Sequence, residues 1–289
     1  PETGFVAAQA AIDAGDWDLA YLLTEGEGRV ANDLVTWARL REGAGTFGEF
    51  RGFLRNRDDW PGLDRIRERA ETSIPETASA VDVLTFFANA LPETGEGAVR
   101  LAAALTEAGR SDQARQLLID VWLEKGLGDD GLEIMLAEHG ELLASHHAAR
   151  VDGQLWRWRI SDAERILDLM SEDDRALAEA RIALIRNAPD AAEKLAAVPA
   201  VLRDHPGLAY DRYNRFADRG DYTEATEILL ARTGSEELLG QPFRWASWRA
   251  SLARWHMREG RAQLAYDLAR QHHLTEGRFY SDLEWLAGY

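Results

Sequence analysis

The sequence predicts an all-α fold, a right-handed α-α superhelix of degenerate helical hairpins in the manner of a tetratricopeptide-like solenoid. Four stretches share one frame, a glycine followed five residues later by alanine and three further on by an aliphatic residue: Gly15/Ala20/Leu23, Gly109/Ala114/Leu117, Gly220/Ala225/Ile228 and Gly260/Ala265/Leu268. Glycine takes the left-handed conformation that ends one helix, and alanine is small enough for the next helix to pack closely, so the frame marks a helical hairpin. Alanine and leucine dominate, there are only 8 prolines, and β-branched residues are too scattered for strand-like alternation. Finally, five pairs have capping-box spacing: Thr46 with Glu49, Ser161 with Glu164, Asp190 with Glu193, Asp221 with Glu224 and Ser281 with Glu284. Irregular intervals between the frames exclude a regular repeat array.

Taken in order, Phe5 to Ala14 and Trp17 to Glu25 form a first hairpin closed by Gly15, and Val30 to Arg41 a helix with Leu34, Trp37 and Leu40 on one face. Pro61 in Trp60-Pro61-Gly62 is placed to start a helix over Leu63 to Ser73. Pro75 and Pro92 bound a helix over Ala78 to Ala90. Ala98 to Ala108 and Asp112 to Glu124 make the second hairpin, and Leu132 to Trp158 reads as two helices broken near Gly140. Then come Ala163 to Met170 with Arg175 to Arg186, Ala191 to Val198, and Leu208 to Arg219 with Tyr222 to Ala231. Glu236 to Phe243, with Gly240 and Pro242, is expected to be a linker or bend near 235–243 in an otherwise single helical domain over 1–289. Trp245 to Arg258 and Gln263 to Arg270 form the last full hairpin. Asp282 to Tyr289 then begins a helix whose apolar face, Leu283, Trp285 and Leu286, is expected to lack a partner, as in a chain cut from something longer.

A formal net charge of -17 argues against nucleic acid as a partner, because such binding relies on cations neutralising phosphates. With no cysteine, disulfides, thiolate metal sites and cysteine nucleophiles are excluded together. No apolar run approaches the roughly 20 residues of a transmembrane helix.

No catalytic or metal-ligating constellation stands out, and no cofactor is implied. His146-His147 and His272-His273 are adjacent pairs that diverge by about 100° on a helix and cannot readily share an ion; they are read as exposed or capping histidines. Asp58-Asp59, Asp129-Asp130 and Glu172-Asp173-Asp174 fall at turns or helix starts, where negative charge complements the helix dipole. No Gly-x-Ser-x-Gly elbow or phosphate-cradling glycine loop occurs. The unusual enrichment is tryptophan, ten residues, with Trp156-Arg157-Trp158-Arg159 and Trp245 to Trp255 mixing indoles with guanidinium groups. Such residues either fill gaps between helix pairs or form a platform for a glycan or a peptide.

A set of ordered motifs resembles the superhelical region of the large soluble lytic murein transglycosylases. They are Phe50-x-x-Phe53-Leu54 into Asp59-Trp60-Pro61-Gly62-Leu63 and Arg65 to Glu71; Pro92-Glu93-Thr94-Gly95-Glu96-Gly97; the Trp122 helix; His147-x-x-Arg150-x-Asp152 before Trp156; Pro206-Gly207-Leu208-Ala209-Tyr210-Asp211-Arg212; and Ala265-Tyr266-x-Leu268-Ala269 through His273, Gly277 and Tyr280 to Glu284-Trp285-Leu286-Ala287-Gly288. The resemblance implies a periplasmic, peptidoglycan-directed protein. In that family a separate lysozyme-like domain cleaves the glycan between N-acetylmuramic acid and N-acetylglucosamine, leaving a 1,6-anhydro product. Its catalytic glutamate lies in a Glu-Ser motif, and no Glu-Ser dipeptide occurs here. The expectation is therefore a non-catalytic scaffold whose partners are its own catalytic domain and the glycan or stem peptide of murein, with Arg150, Trp156, Arg157 and Trp158 as the candidate substrate contacts. The competing expectation is a free-standing helical-repeat adaptor that binds a protein. A glycosidase active within these residues would instead need a distinguished carboxylate pair, and none is apparent.

Overall fold

The computed structural model describes residues 4–88 and 90–288, with only the backbone of Gly4 and Phe5. Among the described residues the fold is all-α, without strands. Two compact units meet at His146/His147 in the sequence. The first holds α1 (Gly4–Asp13), α2 (Trp17–Thr24), α3 (Arg29–Arg41), α4 (Phe47–Asn56), α5 (Leu63–Thr72), α6 (Ala80–Phe87), α7 (Gly95–Glu107), α8 (Ser111–Glu124) and α9 (Asp129–Leu143), ending in a 3₁₀ turn, Ala144–His146. In the second are α10 (His147–Trp156), α11 (Ile160–Glu164), α12 (Glu172–Ile185), α13 (Ala191–Ala197), α14 (Pro206–Arg219), α15 (Tyr222–Arg232), α16 (Glu236–Leu239), α17 (Pro242–Arg258), α18 (Ala262–Arg270) and α19 (Arg278–Gly288), with 3₁₀ turns at Leu167–Leu169 and Ala200–Leu202.

Hairpin partners pack on each other (α1 on α2, α7 on α8, α14 on α15, α17 on α18), and within a unit hairpins also rest on a neighbour, as in α7 on α9 in the first and α12 on α14 and α14 on α17 in the second. This nearest-neighbour burial is the packing logic of a helical repeat. In the first unit Leu40, Phe50, Phe53, Ile66 and Ala70 form one such layer. In the second, Tyr213, Leu229, Trp245, Leu268 and Leu283 belong to a longer continuous core.

The four hairpin glycines have φ of 71°, 74°, 83° and 75° at Gly15, Gly109, Gly220 and Gly260. In each turn the glycine amide donates to the carbonyl three residues back and the following amide to the carbonyl five residues before it, as in Gly15 to Ile12 and Asp16 to Ala11. The paired alanines, Ala20, Ala114, Ala225 and Ala265, are all buried. A fifth copy of the turn lies between α10 and α11: Trp158 has φ 59°, its amide donates to Leu155 O at 3.0 Å and the Arg159 amide to Gln154 O at 2.9 Å, and Ala163 and Ile166 occupy the buried alanine and aliphatic places. A frame defined by glycine misses this copy because tryptophan stands where glycine is expected.

Several expectations are corrected. Of the five expected pairs, only Thr46 and Glu49 close a capping box; Asp190 and Asp221 precede helices without accepting a side-chain cap bond. Ser161 and Ser281 lie inside α11 and α19, and Glu284 is turned instead to His272 Nε2, at 2.9 Å. Asp16, Ser79, Thr94, Ser171, His205 and Ser235 supply further side-chain caps. The helix expected over 163–170 is shortened to α11 plus a 3₁₀ turn, whose Leu167 carbonyl accepts from Arg175 Nε at 3.1 Å. The break near Gly140 is a kink at His139, with the helix resuming to Leu143.

The segment 236–243 lies inside the second unit and is packed, since α16 buries Leu239, whose carbonyl accepts from the Trp245 indole at 2.9 Å. The apolar face of the last helix has a partner as well: Leu283 and Leu286 are buried and α19 packs on α17 and α18. Tyr289 falls outside the described residues.

Candidate functional site

The motif His147 to Trp158 forms α10 and the turn after it, and this turn divides the four expected contact residues. Arg150 and Trp156 are buried, whereas Arg157 and Trp158 are exposed. The division follows from helical geometry: Arg150, Gln154 and Trp156 share the buried side of α10 with Val151 and Leu155, and the left-handed turn at Trp158 swings the next side chains outward.

Beneath the surface, α10 contributes to a charged network with α12 and α14. Arg181 on α12 is 1% exposed. Its Nε donates to Asp211 Oδ2 at 2.6 Å and its Nη1 to Asp152 Oδ1. Its guanidinium carbon lies 5.5 Å from the centre of the Trp156 ring, and Trp156 in turn lies 5.1 Å from Tyr210. The backbone of α14 comes so close that a methyl group at Gly207 would overlap the guanidinium.

Burial pushes the Asp211 carboxyl up to about 6, opposed by the charge of Arg181. The Arg181 guanidinium, although desolvated, is held above its ordinary range by the two aspartates. His205 Nδ1 accepts from the Gly207 amide at 3.1 Å, which leaves the ring proton on Nε2, 3.9 Å from Asp152 Oδ1. Burial lowers the His205 pKa against the pull of Asp152, so the imidazole stays neutral near pH 7.

A pocket of about 200 Å³ opens beside this network, with Asp152, Asp174, Arg181 and His205 as its polar lining and Val151, Leu155, Met170, Leu177 and Leu202 among its apolar walls. None of its lining side chains carries a hydroxyl or a thiol; its polar groups are the carboxylates of Asp152 and Asp174, the Arg181 guanidinium and the His205 imidazole. Among the described residues no group of histidines and carboxylates could hold a metal ion. His147 and His272 are buried rather than exposed, and His273 Nε2 bonds to Thr233 O at 2.9 Å.

On the surface, Trp158 is 54% exposed. The Arg244 guanidinium lies 5.5 Å from its ring centre, and Arg157 is tied by Nη1 to Gly153 O at 2.9 Å. Neither Arg157 nor Arg244 has a carboxylate partner among the described residues. By contrast, Trp245 and Arg249 on α17 are buried gap fillers, Arg249 donating through Nη1 to Leu268 O and Gln271 O, each at 2.9 Å.

In the first unit, a groove of about 600 Å³ is walled by Trp17 and Trp37, with Asp13, Arg41 and Glu42 at its rim. Arg41 lies over the Trp37 ring at 4.4 Å, and the Trp37 indole is fixed by donation to Pro61 O at 2.8 Å.

No known protein family, curated protein or solved structure matches the chain.

The sequence signal for Arg181 is a single arginine in the run Ala178-Glu179-Ala180-Arg181-Ile182-Ala183-Leu184-Ile185, since a charge on a buried helix face needs polar partners nearby; nothing local to Asp211 marks it as one.

Proposed function

We propose that this chain is the superhelical, non-catalytic scaffold of a periplasmic peptidoglycan lytic transglycosylase, which positions a separate catalytic domain on murein glycan strands. One observation carries the reading. Two separated motifs of the resemblance, His147 to Trp156 and Pro206 to Arg212, meet in space, with Asp152 and Asp211 on the same guanidinium and Trp156 against Tyr210. Their meeting supports treating the two motifs as parts of one structural unit. The Trp-walled groove of the first unit and the exposed Trp158 supply stacking surfaces of the kind that sugars use.

Co-sedimentation with purified murein sacculi tests the proposal: the chain is expected in the pellet, with no clearing of murein in a zymogram. A free-standing protein-binding adaptor would stay in the supernatant.

A further inference from the structure

We infer that Trp158, flanked by Arg157 and Arg244, is a stacking site for a carboxylate-bearing sugar. The conformation of Trp158 is the first argument. At φ 59° it occupies a left-handed turn position that glycine fills at Gly15, Gly109, Gly220 and Gly260 and that a bulky side chain adopts only with strain. The indole returns little packing, because it lies more than half open to solvent. A tryptophan in a strained surface turn, where glycine would fold more easily, points to a use outside the core.

Charge supplies the second argument. In a chain of net charge -17, Arg244 lies over this indole and Arg157 immediately precedes it, both without carboxylate partners among the described residues. Arg244 is the only cation or ring stacked on Trp158 among them, and the indole is more than half open to solvent, which leaves ring surface for a ligand. An indole face takes the C–H face of a pyranose ring, and guanidinium groups take a carboxylate. The choice of murein as the source of that sugar, as glycan stripped of stem peptide so that the muramic acid carboxylate is free, rests on the function proposed above; the site itself rests on the turn and the two arginines.

The test is ¹H–¹⁵N NMR of the full chain with soluble murein fragments freed of stem peptide, oligogalacturonate, neutral chitooligosaccharide and poly-glutamate, using Trp158→Gly to assign the Trp158 indole resonance and Arg244→Gln to remove one cation. The expected result is a shift of that resonance with a carboxylated saccharide, affinity at least tenfold weaker in both variants, weakening with salt, and a melting temperature for Trp158→Gly no lower than that of the wild type. If murein fragments bind with equal strength to wild type and both variants, the site is wrong and the scaffold reading stands. If oligogalacturonate binds through Trp158 and murein fragments do not, the site stands and the murein reading falls. Binding of chitooligosaccharide with equal strength, of poly-glutamate alone, or of nothing overturns the proposal.

Discussion

The two units bury charge in different ways. In the first, Glu71 at the end of α5 is 4% exposed and pairs with no cation among the described residues; its carboxylate accepts from the amides of Glu93 and Thr94 at 2.8–3.1 Å and from the Thr94 hydroxyl at 2.8 Å. It thereby anchors the start of α7, where α5 and α7 pack. In the second, Arg181 binds two aspartates. A carboxylate held by neutral donors keeps the proton as its escape from burial, and burial raises Glu71 to about 7 against those donors. A guanidinium has no such escape near neutral pH, and at Arg181 the fold supplies two counter-charges, whereas the buried Arg249 is met by neutral hydroxyl and carbonyl oxygens.

That difference can be broken most severely at Arg181. Arg181→Met is expected to destabilise the second unit by about 3–5 kcal/mol in urea unfolding, because Asp211 and Asp152 are left buried or half-buried without a cation. Adding Asp211→Leu to that variant is expected to recover much of the loss.

In the first unit the corresponding signature is pH. Glu71 stands near 7 in the folded chain against an ordinary 4.5, so the folded state holds the extra proton between these values. Its contribution to stability is fully present below pH 4.5 and is lost as pH rises through 7, a span worth about 3 kcal/mol at most. Denaturant midpoints measured from pH 4 to 8 should show this decline in the wild type and a flatter profile in Glu71→Gln.

A smaller loss, about 1–3 kcal/mol, is expected for Gly95→Ala, since its methyl group would overlap the backbone carbonyl of Gly131 where α7 and α9 touch. The smallest effect has the opposite sign: Trp158→Gly relieves a left-handed tryptophan and is expected to raise stability by about 1 kcal/mol, less whatever the exposed Arg244 contact contributed, read from the melting temperature.

Helix positions were legible because they depend on neighbours in sequence. Gly15, Gly109, Gly220 and Gly260 announce their turns through the one residue that meets positive φ without strain, and Ala20, Ala114, Ala225 and Ala265 announce the close packing that follows. Capping spacing was less informative. Ser281 and Glu284 have the required interval, but the carboxylate is drawn to His272, twelve residues away from it, by a fold that local spacing does not encode.

By itself, then, the sequence determined the all-α class, the hairpin turns and the pairing of consecutive helices, since these are set by backbone freedom and apolar periodicity over a few residues. Only the tertiary structure decided that Arg150 and Trp156 turn inward while Arg157 and Trp158 turn outward, that Arg181 gathers Asp152 and Asp211, and that α19 is covered by α17 and α18. These features depend on which surfaces meet across some 30 residues of chain, and a buried charge or an indole carries no mark of its partner until the helices that bear them are packed.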